Sequence, residues 1–153
     1  GSSGSSGSGS GGGLVRLATN FKVIGAGSCG VVYEGVLNGE PIALKVVPEG
    51  DPEAKIEMSR EVKIYEHLKG VQGEIIPRML WSGNLFFNGH EFYGIATSLC
   101  APVTTFTDEE KKTTLEVLHR NDVVHGDIRK ANFVRSPEGK LFLIDFGRSQ
   151  IVN

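Results

Sequence analysis

Apolar and polar positions change period along the chain, and each change marks an element. Phe21–Ile24, Val31–Leu37 and Pro41–Val47 are short β-prone runs. A glycine-rich stretch, Gly25 to Gly30, separates the first two, and Asn38-Gly39 between the others suits the positive φ angles of a tight hairpin. The pattern predicts an antiparallel meander. From Glu53 to Lys69 the period lengthens to that of a helix, with Pro52 at an early position. Ala54, Met58, Tyr65 and Leu68 form its buried stripe; Glu61 falls on that stripe, whereas Glu57 and Glu66 fall off it and are expected to be solvated. Arg78–Trp81 and Leu85–Phe87 read as one strand kinked or bulged across Ser82-Gly83-Asn84. Asn88-Gly89 is a second hairpin turn, and Glu91–Thr97 a fifth strand.

The second half is shorter in its runs. Thr107-Asp108-Glu109-Glu110 has the form of a capping box, opening a helix to about Arg120 that buries Leu115 and Leu118. Phe133–Arg135 and Leu141–Ile144, joined by the turn Ser136 to Gly139, predict a β-ribbon. The fold class is α+β: a five-stranded antiparallel sheet with one helix, followed by a smaller second part.

Composition narrows the picture. At 153 residues and 39% hydrophobic, the chain has material for a proper core. Residues 1–13 are glycine and serine alone and read as an expression tag and linker. A net charge of -2, with basic residues scattered among acids, gives no nucleic-acid footprint, and no apolar run suits a membrane span. Two cysteines, Cys29 and Cys100, make neither a disulfide framework nor a zinc site. That usage favours the cytoplasm or another reducing intracellular compartment.

The candidate chemistry lies in five places. Gly25, Gly27 and Gly30 follow a G-x-G-x-x-G spacing that lets backbone N–H groups approach phosphate oxygens. That spacing alone also suits a dinucleotide-binding turn, which needs a helix next; Val31-Val32-Tyr33 is β-prone instead. Lys45, a charge amid apolar strand residues, must reach solvent or an anion. Glu61 on a buried stripe needs a cation, for which Lys45 competes with Arg60 and Lys63. Asp127, Asn132 and Asp145 stand on short loops between apolar runs and offer oxygens of the kind that bind Mg²⁺ and orient a hydroxyl.

The order of these motifs, with H-x-D-x-x-x-x-N at His125 to Asn132 and D-F-G at Asp145 to Gly147, resembles the protein-kinase superfamily. The string His-Gly-Asp-Ile-Arg-Lys-Ala-Asn-Phe further resembles atypical, fungal-type kinase-like proteins. The resemblance implies a kinase N-lobe over residues 14–97, a hinge over 98–102 and a minimal C-lobe over 103–153. It implies ATP and Mg²⁺ as cofactors, with Gly25, Gly27 and Gly30 over the phosphates and Lys45 bridging them to Glu61. The hinge around Cys100 would read the adenine edge, and Asn132 and Asp145 would hold the metal. Asp127 would handle the acceptor hydroxyl's proton, and Arg129 would meet the transferred phosphate. Gly126 stands where many kinases carry an arginine that grips a phosphorylated activation loop, so regulation by that route is not expected.

The sequence ends at Asn153, so the domain reads as truncated after D-F-G, and Leu118, Val123, Phe133 and Phe146 are expected to be exposed. A protein partner or a second copy would then cover them. Two functions follow: a kinase acting on Ser or Thr hydroxyls or on itself, and a pseudokinase or kinase mimic that engages a partner without turnover.

Overall fold

The computed structural model describes residues 22–26, 30–87 and 89–152. The N-terminal tract through Phe21, together with Gly27, Ser28, Cys29 and Asn88, lies outside the described residues, and so do the expectations placed on them.

Five strands, β1 (Lys22–Ala26), β2 (Val31–Leu37), β3 (Glu40–Pro48), β4 (Met79–Phe87) and β5 (His90–Ser98), form an antiparallel sheet in the order β1-β2-β3-β5-β4. Asn38 and Gly39 take φ angles of 57° and 82°, as their hairpin demands. Because side chains alternate along a strand, the sheet has two distinct faces. On one, Ile42, Leu44 and Val46 of β3 join Leu37, Leu85 and Ala96 in a small outer cluster. On the other face lie Ala43, Lys45 and Val47, the last two against the helix α1 (Pro52–His67).

α1 starts where its chemistry allows: Asp51 caps it, its carboxylate accepting from the Ala54 N–H at 3.4 Å, and Pro52 needs no donor in the first turn. Ala54, Met58, Glu61, Tyr65 and Leu68 are all buried, as the stripe predicts. Glu57 departs from expectation. It is half-buried against Gly147, whose absent side chain leaves room for the Glu57 Cβ, 3.4 Å from where a Cβ would stand. The ladder of β4 also differs from its predicted form. β5 supplies a partner for each of Ser82, Gly83 and Asn84, so the strand runs through them, and the register shifts instead between Met79 and Trp81.

The second part begins with β6 (Ala101–Pro102) and α2 (Asp108–Arg120). Thr107 accepts from the Glu110 N–H at 3.2 Å, but the Glu110 carboxylate turns to Arg135 at 3.5 Å, so half of the expected capping box is made. Thr114 and Leu118 are the buried residues of α2; Leu115, expected inside, is half-buried. The short strands β7 (Val123–Val124), β8 (Phe133–Arg135), β9 (Leu141–Leu143) and β10 (Gln150–Ile151) complete a three-stranded β6-β8-β9 sheet and a β10-β7 pair.

The largest correction concerns the face predicted to be open. Leu118, Val123 and Phe146 have no exposed surface and Phe133 has 2%. They are covered from within the chain: Phe106 packs on Phe133 with tilted rings whose centroids are 4.7 Å apart, Tyr65 of α1 meets Phe146 edge-on at 5.5 Å, and all four join the core formed with Met58, Ile95 and Leu143. These residues therefore give no reason to expect a partner or second copy over them. Among the described residues no helix is long and apolar enough to cross a membrane.

Candidate active site

Strand register builds the site first. Val32, Lys45 and Ile95 lie side by side across β2, β3 and β5, and Glu34, Ala43 and Thr97 form the next such row on the same face. Both rows form one wall of a cleft of about 560 Å³. Ser98, Leu99 and Cys100 line one end of it; Asn132, Ile144 and Asp145 close it from the second part of the chain. A volume of roughly 300–1,000 Å³ is usual for small-molecule sites.

Lys45 is the electrostatic centre. Its Nζ donates to Glu61 Oε1 at 3.4 Å and lies 3.9 Å from Asp145 Oδ1, so one ammonium joins β3, α1 and the turn at Asp145. Of the three candidate partners weighed for Glu61, Lys45 is the one that meets it. Burial pushes the Glu61 carboxyl above its ordinary value, against the pull of Lys45 and of the Phe146 backbone N–H. A raised carboxyl pKa means that the folded chain holds this proton more tightly than the unfolded chain does. Stability should therefore fall as pH rises from the ordinary value of 4.5 through the raised one. Denaturant melts across that window should show the decline, and Glu61→Gln should remove its share of the slope; an unchanged slope would refute the assignment.

The loop at 125–132 is held from beneath. His125, 1% exposed, contacts the Ile144 carbonyl through Nε2 at 2.8 Å and accepts the Asp127 N–H on Nδ1 at 3.2 Å. Those two partners require a neutral ring with its proton on Nε2. Gly126 takes φ of 84°, and a side chain there would stand 3.2 Å from the Arg148 carbonyl, so glycine satisfies a backbone need at that position. Asp145 also has positive φ, 67°. Asn132 donates through Nδ2 to the Asp127 carbonyl at 2.8 Å, which fixes the amide's orientation at the cleft.

Asp127 lies beside the cleft rather than in its lining, linked to it through Asn132. Arg129 donates to its carboxylate at 3.1 Å, and that hydrogen bond holds the Asp127 carboxyl below its ordinary value, with the charge of Arg148 acting in the same direction. Of the glycines, Gly25 lines the cleft. Gly30 does not; a side chain there would collide with the Val46 carbonyl at 2.8 Å, so its smallness serves the β2-β3 packing. Cys100 lines the cleft with its thiol pushed up to about 11 by burial, which keeps it protonated at neutral pH.

The residues of one carboxylate and one amide, Asp145 and Asn132, suit a hard cation that takes its remaining ligands from phosphates and water. Among the described residues no group of three or more His, Cys, Asp or Glu side chains could hold a metal by itself. The roles of His125 and Arg148 were not assigned from sequence. Arg148 follows Gly147 directly, and that adjacency was the available signal.

No protein-family model matches the chain. Curated relatives do. A probable LRR receptor-like serine/threonine-protein kinase of Arabidopsis thaliana is 29% identical over 152 residues, 88% of this chain and 18% of that protein. The serine/threonine-protein kinase KIC1 of Saccharomyces cerevisiae is 29% identical over 158 residues, 92% of this chain and 14% of that protein. The mouse serine/threonine-protein kinase PAK 1 is 26% identical over 139 residues, 84% of this chain and 26% of that protein. These relatives are protein kinases. The five-stranded sheet with its helix is accordingly kinase-like, and the chain spans between 14% and 26% of the length of the three.

Proposed function

We propose that the chain binds Mg-ATP in the cleft and transfers the γ-phosphoryl group to a serine or threonine hydroxyl held at Asp127. The observation that carries this reading is the position of Lys45, within 4 Å of both Glu61 and Asp145 on the wall of a cleft that Asn132 also lines. An ammonium held by two carboxylates is placed to receive phosphate oxygens. Bound Mg-ATP would supply the transferable group and a cation to spread its developing charge. Lys45 orients the phosphates, Asp145 and Asn132 offer oxygens for the cation, and Gly25 allows close backbone approach. Asp127 orients the acceptor hydroxyl and receives its proton, and Arg129 steadies the transferred phosphate. The kinase relatives support the same reading.

A second reading draws on the Arg129–Asp127 contact. A carboxylate held deprotonated by a guanidinium is a weak proton acceptor, and a chain that binds nucleotide without turning it over would serve as a kinase-like interaction module.

Thermal shift tests the binding step. At one hundred times Kd, a ligand specific to the folded state adds about 2.7 kcal/mol, or roughly 5–11 °C for a chain of this size. Mg-ATP should produce such a shift in the wild type and little or none in Asp145→Ala. No shift in the wild type would remove the nucleotide-binding reading.

A further inference from the structure

Asp127 is approached by cations from two separate segments. Arg129 reaches it from the 125–132 loop, and Arg148 adds its charge from the turn after Gly147. Lys130 is exposed next to Arg129, and none of the ion pairs among the described residues involves Lys130 or Arg148.

Arg148 is also firmly placed. The next residue, Ser149, is fully buried, donates its hydroxyl to the His125 carbonyl at 3.3 Å and its N–H to the Phe146 carbonyl at 3.1 Å. β10 then pairs with β7, Gln150 opposite Val124. The Arg148 carbonyl itself lies against Gly126, next to Asp127 in sequence. The backbone of an exposed arginine is thus anchored by buried neighbours next to the residue that would orient an acceptor hydroxyl. Such a charge exerts its largest effect on a group that arrives with the opposite sign.

We infer that Arg148, together with the exposed Lys130 of the 125–132 loop, selects acceptors that carry an anionic side chain next to the hydroxyl, so that the preferred substrate is an acidic peptide segment. The inference rests on the phosphoryl-transfer reading for the hydroxyl's position, and it adds the acceptor's charge. Arg129 remains committed to Asp127 and the transferred phosphate, which leaves Arg148 and Lys130 for the flanking anion.

The test compares one serine peptide in three versions, flanked by aspartates, by a phosphoserine or by lysines, against the wild type, Arg148→Gln and Arg148→Glu. Transfer rates and, separately, peptide binding by fluorescence anisotropy are read at low and high salt. The wild type should favour the anionic peptides at least tenfold in kcat/KM, with the preference shrinking as salt rises, lost in Arg148→Gln and reversed in Arg148→Glu. The aspartate and phosphoserine versions distinguish carboxylate from phosphate as the preferred anion. Equal use of the three peptides, or a preference that survives both substitutions, overturns the inference while leaving phosphoryl transfer standing. If no peptide is phosphorylated, the phosphoryl-transfer reading falls and acceptor selection is overturned with it; Arg148-dependent, salt-sensitive binding of the acidic peptides would then show that the same cations recognise an acidic partner. Melting curves of both variants establish that the fold is kept.

Discussion

Asp127→Ala is expected to lower phosphoryl transfer by roughly 10²–10⁴-fold, the usual range for loss of a positioned acid–base group. Nucleotide affinity should change little, because Asp127 stands outside the lining of the cleft and joins it through its own backbone carbonyl and Asn132. A variant that loses turnover and keeps binding has lost an interaction specific to the transition state. Transfer of radiolabelled phosphate to serine and threonine peptides, measured beside Mg-ATP affinity, separates the two quantities. Wild-type transfer no higher than that of the alanine variant would leave only the interaction-module reading.

Phe146→Ala should produce the largest loss of stability, about 3–5 kcal/mol. The ring is wholly buried, meets Tyr65 edge-on at 5.5 Å and His125 at 5.0 Å, and so joins α1 to the loop at 125–132. Removing it leaves a cavity in the core that the surrounding side chains relax into only in part. Since small domains are stable by only about 5–15 kcal/mol, such a loss would be visible as a much earlier denaturant midpoint. Phe146→Leu, which keeps most of the volume, should cost less. A midpoint for the alanine variant close to that of the wild type would show that the ring does not bind the two parts together.

Much of the fold was legible because the patterns were local. The stripe Ala54, Met58, Glu61, Tyr65 and Leu68 recurs at helical spacing, and the Asn38-Gly39 signature gave its hairpin directly. The register between distant strands was less readable. Ser82-Gly83-Asn84 looks like an interruption until β5 is seen to pair with each of them, and the shift at Leu80 carries no comparable signal in the sequence. Burial in the second part is hidden from the sequence for a related reason. Leu118, Val123, Phe133 and Phe146 are apolar on any reading, but only tertiary contact reveals that Phe106, Tyr65 and the rest of the core cover them.

The site was legible in its charged members and obscure in its supports. Lys45 and Glu61 declare themselves as charges where apolar residues are expected, and their pairing follows from the need to satisfy both. Gly126 drew attention as a missing arginine, whereas its φ of 84° and its closeness to the Arg148 carbonyl give a backbone reason for glycine. Glu57 was read as solvated because helical phase cannot show that Gly147 comes up against it.

His125 grips the Ile144 carbonyl with one nitrogen and the Asp127 N–H with the other, while Ser149 ties down its carbonyl from behind. The shape of the 125–132 loop is thus maintained by the side chains of His125 and Ser149, which do not line the cleft. Scaffold and acids are therefore separable: exchange of Asp127 or Asp145 for Asn would leave this clasp untouched, because neither carboxylate takes part in it. A chain with either acid exchanged would be recognisable by an intact histidine clasp around it.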